Sequence, residues 1–285
     1  MQNTTPPSSP GPSPEATPES PAGARRGWVA LVGAGPGDPE LLTLRAARRI
    51  GEADVILVDD LVDPRILAHA RPTARIRRVG KRGGCRSTPQ RFIEALMVRE
   101  ARAGLRVVRL KGGDPLVFGR AGEEIAALRR AGIEVEIVNG VSSALAAGAA
   151  LGRSLTHRDH AQGVVFVTGR PRPGGAEPDW RALATSGLTL AIYMGLARAA
   201  CVRDALVAGG LDPATPAAIV ERASGPEERV LETSLGTMAE DFAASGLASP
   251  ALIVVGDALR APAALGARAE GIRRPSPGPR SFAAG

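Results

Sequence analysis

Short apolar runs, many of them closed by glycine or an acid, alternate along the chain with longer segments in which apolar positions recur every three to four residues. Runs of four to six residues read as strands buried on both faces, and the longer periodic segments as helices laid on them. In the first half this predicts strands at Trp28–Val32, Val55–Val58, Arg75–Val79, Leu105–Leu110 and Val135–Val138. Helices are predicted at Leu41–Ile50, Pro89–Ala103 and Ala121–Ala131. Strands alternating with helices of this length form a parallel sheet covered on both faces.

The second half reads differently. Its strands are Val164–Gly169, Leu188–Tyr193, Ala217–Glu221, Arg229–Thr233 and Ala251–Val255, with helices near Asp179–Ala184, Ala197–Gly209 and Met238–Ser245. Adjacent strands without an intervening helix predict a partly antiparallel sheet. The expected fold class is therefore two α/β domains, the first with a mostly parallel sheet (27–142) and the second with a mixed one (143–260), hinged between about Gly140 and Gly163. Residues 1–26 and 261–285, dominated by Pro, Ser, Gly and Ala, read as disordered tails.

Polar and glycine-rich positions gather where the predicted parallel strands end: Gly33 to Asp38, Asp59, Lys81, Gly112 to Asp114, and Ser142 with Ser143. In an open parallel sheet, ligands bind beyond the carboxyl ends of the strands. The central stretch is Arg109 to Glu124. There Gly112 and Gly113 leave the backbone uncovered, Pro115 stiffens the turn, and Glu123 with Glu124 suits the positive end of the following helix. Such a loop can grip a small polar molecule through main chain.

Composition narrows the class. In 285 residues no apolar run approaches the ~20 of a membrane span, and the N-terminus lacks a signal-peptide pattern, so a cytoplasmic protein is expected. Cys85 and Cys201 make neither a disulfide framework nor a metal knuckle, and Cys201 is expected to serve packing in its helix. The formal charge is +7, of which the last 25 residues carry +3 and the first 26 carry none, leaving +4 for the body. That is not the field of a nucleic-acid binder. Between Arg71 and Arg91, however, stand eight bases and no acid, a patch suited to a polyanionic ligand. Only Lys81 and Lys111 among the 36 basic residues are lysine, which points to positions where a compact ammonium with a movable pKa is wanted.

Several chemistries can be weighed. Gly33-Ala-Gly-Pro-Gly-Asp38 invites a dinucleotide reading with Asp59 or Asp60 on a ribose, but Asp38 occupies the third glycine position and Pro36 and Pro39 remove amide donors. A glycine-lysine-Ser/Thr phosphate loop and a Gly-x-Ser-x-Gly elbow are both absent. His157 and His160 are spaced to share a helical face, yet no further ligand cluster accompanies them, and a structural or substrate-facing role is favoured over metal.

Taken together, Gly33 to Asp38 with Leu42-Thr-Leu44, Asp59 to Val62, Val79-Gly-Lys-Arg82, Arg109 to Glu124, Leu155-Thr-His-Arg-Asp159 with Ala161-Gln162, Tyr193-Met-Gly195 and Ala251 to Gly256 resemble the uroporphyrinogen-III C-methyltransferases of the tetrapyrrole methyltransferase group. The resemblance runs from Val29 to Leu259. It implies an enzyme that uses S-adenosyl-L-methionine, without a metal, to methylate uroporphyrinogen III twice, giving precorrin-2 by way of precorrin-1 for sirohaem or cobalamin. It also implies a cleft between the domains as the active site, and a homodimer. By the same resemblance, Pro36, Gly112, Gly113, Asp114, Val117, Ser142, Ser143, Met194 and Ala223 face the cofactor, Asp59 accepts a proton and Lys81 donates one. The eight carboxylates of such a substrate offer a target for the Arg71 to Arg91 run and for Arg109 and Arg120. Three departures stand out: Val58 where the family has Tyr, Cys85 with Arg86 in place of a polar or histidine-rich pair, and Asn139 where it has a proline, which is expected to loosen the turn before Ser142. The rival readings are another precorrin methyltransferase, a NAD-dependent oxidoreductase and a non-catalytic tetrapyrrole carrier.

Overall fold

A computed structural model describes residues 27–80, 88–172 and 174–263. Lys81, Arg82, Cys85 and Arg86 lie outside the described residues, as do the segments 1–26 and 264–285.

The first sheet contains β1 (Trp28–Gly33), β2 (Val55–Val58), β3 (Arg75–Arg78), β4 (Arg106–Lys111) and β5 (Val135–Val138), all parallel, in the order β3-β2-β4-β1-β5. The inner strands β1 and β2 show no polar alternation because both of their faces are covered; β4 departs from this with Arg109 and Lys111. Ala30 and Val32 pack against Ala46 and Ile50 of α1 (Leu44–Glu52), while Val29 and Leu31 face Leu96 and Met97 of α2 (Gln90–Arg102) and Leu128 of α3 (Ala121–Arg130). Full burial of each such branched side chain contributes about 1.5–3 kcal/mol. Helix α1 starts later than its periodicity predicts. The Asp38 carboxylate accepts the Glu40 N–H and launches a 3-10 turn over Pro39–Leu41, and Thr43 then caps α1 by accepting the Ala46 N–H at 3.2 Å.

Two crossovers decide where a ligand can sit. From β1 the chain passes over β4 to reach β2, with α1 on one face; from β4 it passes over β1 to reach β5, with α3 on the other. The loops leaving β1 and β4 therefore diverge, and a crevice opens between them at the carboxyl edge of the sheet.

The second sheet contains β6 (Val164–Thr168), β7 (Thr189–Tyr193), β8 (Pro216–Glu221), β9 (Arg229–Ser234) and β10 (Ala251–Val255), in the order β6-β7-β10-β8-β9. Strands β6 and β7 are parallel and the other pairs antiparallel, the mixed sheet that adjacent strands in the sequence predict. Helices α5 (Trp180–Ala184), α6 (Ala199–Ala208) and α7 (Met238–Ser245) cover one face. The other face receives α4 (Ser143–Leu151), which follows β5 and packs its alanines on Ala191, Ala218, Val220 and Val254.

Periodicity did not predict α4, since Ser-Ala-Leu-Ala-Ala-Gly-Ala-Ala-Leu is apolar on every side and shows no polar stripe. Cys201 is exposed on α6 and does not fill the core as expected. No helix among the described residues is long and apolar enough to cross a membrane.

Candidate active site

The floor of the crevice is built from backbone. The Gly113 N–H donates to Gly35 O at 2.7 Å and the Gly35 N–H returns to Gly113 O at 3.2 Å, bridging the loops after β1 and β4. A Cβ on Gly33 would stand 2.6 Å from both Gly113 O and Gly140 N, and one on Gly140 only 2.3 Å from Gly113 O. Only glycine fits at either position. Gly113 itself has φ +66°, and a Cβ there would meet nothing within 4 Å, so its Cα faces open space. That combination, tight beneath and open above, is a surface on which a ligand can lie against main chain.

Asp114 ties this floor to the next strand. Its Oδ1 accepts the Leu116 N–H at 2.8 Å, and its Oδ2 accepts Asn139 Nδ2 at 3.0 Å and the Gly140 N–H at 3.2 Å. Asn139 therefore does not loosen the turn as expected; its amide fastens the turn to Asp114.

The loops of the second sheet close over the same edge. The Asp38 N–H donates to Ser224 Oγ at 3.1 Å, and a Cβ on Gly37 would come within 3.2 Å of the Gly225 backbone. Tyr193, at the end of β7, shares a 2.7 Å hydrogen bond with Ser142 Oγ and accepts the Ala144 N–H at 3.1 Å. The Phe118 ring lies 4.8 Å from that of Tyr193. Ser142 and Ser143 are thus not the end of a strand but the cap and first residue of α4. Among the described residues, the non-glycine residues with positive φ are Phe118, Arg120, Met194, Arg222 and Ser224, and all five belong to these loops. Backbone strain of ~1–3 kcal/mol per residue is held at such places by the surrounding structure.

Of the residues predicted to face a cofactor, Pro36, Gly112, Gly113, Asp114 and Val117 are on the first sheet's loops, Met194 and Ala223 on the second's, and Ser142 and Ser143 at the base of α4. Met194 is half exposed and Ala223 buried.

The pattern of the Tetrapyrrole (Corrin/Porphyrin) Methylases matches residues 29–239. The chain belongs to this family. Over 234 residues it is 53% identical to the uroporphyrinogen-III C-methyltransferase of Pseudomonas aeruginosa, covering 82% of this chain and 95% of that protein. It is 50% identical to siroheme synthase 2 of Aeromonas hydrophila subsp. hydrophila, matching 81% of this chain but spanning only 49% of that protein's length. Among solved structures, the uroporphyrin-III C-methyltransferase of Thermus thermophilus complexed with S-adenyl homocysteine superposes with a TM-score of 0.71 at 46% identity, covering 82% of this chain and 99% of that one. The cobalt precorrin-4 methyltransferase CbiF superposes with a TM-score of 0.75 at 30% identity, covering 84% and 98%.

In this tetrapyrrole methylase the charged residues around the cleft divide into two groups. Arg120 is exposed beside the crevice and chelates Glu123 at 2.9 and 2.6 Å; its guanidinium holds the Glu123 carboxyl below the ordinary carboxylate value. Arg109, expected to meet substrate, is only 3% exposed and points away from solvent. Alternation along β4 sends Val107, Arg109 and Lys111 to the α2/α3 face, where Glu124, fully buried, takes Arg109 Nε at 3.2 Å and Lys111 Nζ at 3.3 Å. Burial, then the neighbouring Arg109 charge, pushes the Lys111 ammonium below its ordinary value against the opposing pull of Glu124 and Asp59. The sequence did not show that Glu124 faces inward while Glu123 faces out.

The basic run is divided too. Arg71 and Arg106 bind Asp54, and Arg75 binds Glu100, at the amino ends of β2, β3 and β4, the edge opposite the crevice. These arginines brace the sheet. His157 and His160 do not share a helical face; they stack 4.6 Å apart in a turn where His157 Nδ1 accepts the Asp159 N–H. The described residues contain no group of three or more His, Cys, Asp or Glu side chains able to hold a metal.

Proposed function

We propose that the protein transfers methyl groups from S-adenosyl-L-methionine to two carbons of uroporphyrinogen III, forming precorrin-2 by way of precorrin-1. The glycine-built floor at Gly33, Gly113 and Gly140, open above Gly113, carries this reading, because a sulfonium with an amino-acid tail and an adenine suits main-chain contacts. Its fit is supported by the relative of Thermus thermophilus, whose structure is a complex with S-adenyl homocysteine.

The bound sulfonium supplies an activated methyl group. In each transfer a carbon–carbon bond forms to the macrocycle, the sulfur–methyl bond breaks with its electron pair left on sulfur, and one proton leaves the macrocycle. The chain contributes alignment first, since an in-line displacement gains much of its rate from fixed geometry. Pro36, Gly112, Gly113, Asp114, Val117, Met194 and Ala223 orient the donor, with Ser142 and Ser143 setting the start of α4 beside it. Asp59 accepts the departing proton, and a proton that Lys81 delivers elsewhere on the macrocycle is matched by the release of a second one, so that one proton is lost net for each methyl gained. Arg120, exposed at the mouth, meets a substrate carboxylate. We place this reaction in the cytoplasm and assign it to a homodimer, both on the family resemblance.

Incubation with methyl-labelled S-adenosyl-L-methionine and uroporphyrinogen III tests the reading. Two labels per macrocycle are expected. A protein that labels only a later, already methylated precorrin is a different member of the family, and one that labels none is a carrier or an oxidoreductase.

A further inference from the structure

The reading of Asp59 as proton acceptor leaves open how a carboxylate at a strand end is kept in one orientation. Asp59 follows β2 and its side chain is 35% exposed at the crevice. Both of its oxygens are engaged: Oδ1 accepts the Asp60 N–H at 3.0 Å and Oδ2 faces Arg109 Nη2 at 3.4 Å. Arg109 cannot swing away. Its Nη1 donates to the carbonyls of Leu57 and Leu110, each at 3.4 Å, and its Nε to Glu124 Oε1. Glu124 is fixed in turn by Lys111 Nζ and by Gln90 Nε2 at 3.1 Å, so β2, β4, α2 and α3 all hold the guanidinium.

The charges make the same point. Arg109 and Lys111 are two buried cations facing one buried anion, Glu124. The balancing negative charge is on Asp59, the partly exposed carboxylate that meets them. A buried cation without its counter-ion is expensive, so the set is complete only with the Asp59 carboxylate turned toward Arg109.

We propose that Arg109, Glu124 and Lys111 are positioning residues that form a buried ionic brace, fixing the Asp59 carboxylate at the crevice so that its free lone pairs face the substrate proton. None of the three touches substrate. The proposal rests on Asp59 being the acceptor, and it assigns to the buried Arg109, Lys111 and Glu124 a part in the chemistry distinct from holding the methyl donor.

The test is a double-mutant cycle in the full-length protein, reading turnover, the KM for uroporphyrinogen III and S-adenosylhomocysteine affinity for Glu124→Gln, Asp59→Asn and the pair. Glu124→Gln is expected to lower kcat about 10-fold or more with S-adenosylhomocysteine affinity within about twofold of wild type, and to lower it no further in the Asp59→Asn background. If Glu124→Gln does not fold, Arg109→Lys, which keeps the charge but loses the fork, is read in the same cycle. Equal losses in both backgrounds would overturn the brace while leaving Asp59 as acceptor. Full turnover in Asp59→Asn would overturn the acceptor assignment, and the brace with it. Stability reports on the charge balance separately: Asp59→Asn is expected to lower the unfolding midpoint, and Lys111→Met to restore part of that loss in the double variant. A Lys111→Met effect of the same size and sign with or without Asp59 would contradict it.

Discussion

The carboxylate of Asp114 accepts the backbone N–H of Gly140 at 3.2 Å, which joins the loop after β4 to the loop after β5. Through its second oxygen it also shapes its own loop at the Leu116 N–H. Asp114→Ala removes both links. It is expected to weaken S-adenosylhomocysteine binding at least about tenfold, or ~1.4 kcal/mol. Calorimetric titration of the two proteins measures this; equal affinities would show that the loop needs no such tie.

Three glycines in this region respond differently to alanine. Gly33→Ala drives a Cβ into Gly113 O and Gly140 N and is expected to cost about 3 kcal/mol of stability. Gly113→Ala meets no atom but keeps a left-handed residue, costing ~1–2 kcal/mol and crowding the donor. Gly122→Ala lies in α3 with open space around it and is expected to stabilise the protein by ~0.5–1 kcal/mol. Urea unfolding of the three variants gives the ranking directly.

The contact between Ser142 Oγ and Tyr193 Oη joins the start of α4 to the end of β7. Tyr193→Phe leaves the buried Ser142 hydroxyl and the Ala144 N–H without their partner. We expect a loss of ~1–2 kcal/mol, with Ser142→Ala adding little in the Tyr193→Phe background. Additive losses would mean that the two hydroxyls stabilise the protein independently.

Glu100 gives the sheet a defined acid sensitivity. Hydrogen bonds from Arg99 and then Arg75 hold its carboxyl below the ordinary value of 4.5, outweighing the opposing effect of burial. A carboxyl whose folded-state pKa is depressed stabilises the protein above its unfolded value, and that contribution disappears as the pH falls through the folded value. The stability gap between wild type and Glu100→Gln should therefore be full above about pH 5 and shrink as acid is added. Denaturant midpoints across that range check the trend, and a gap independent of pH would mean that Glu100 acts only by packing.

Much of this architecture was legible because its strands are buried on both faces. Val55–Val58 and Ala251–Val255 are uninterrupted apolar runs, and their predicted limits coincide with the observed ones, as do those of Val135–Val138 at the sheet edge, which carries Glu136. The loops were legible for a different reason: Gly33, Gly112, Gly113 and Asp114 are residue types that strand ends use when main chain approaches a ligand. What escaped was anything whose meaning depends on which way a side chain points. Helix α4 hides because alanine is apolar on every face. Glu123 and Glu124 are neighbours of identical chemistry, and only the phase of α3 sends one to solvent and the other to Arg109 and Lys111. Likewise, nothing in the acid-free run from Arg71 to Arg91 shows that two of its bases, Arg71 and Arg75, pair with Asp54 and Glu100.

We place the methyl donor on the backbone floor between β1 and β4, beneath the loops of the second sheet. A crystal structure of the protein grown with S-adenosylhomocysteine tests it most directly. The ligand is expected against Gly112 to Asp114, with Met194 and Ala223 opposite; density for it at any other place on the molecule would show that this floor does not hold the methyl donor.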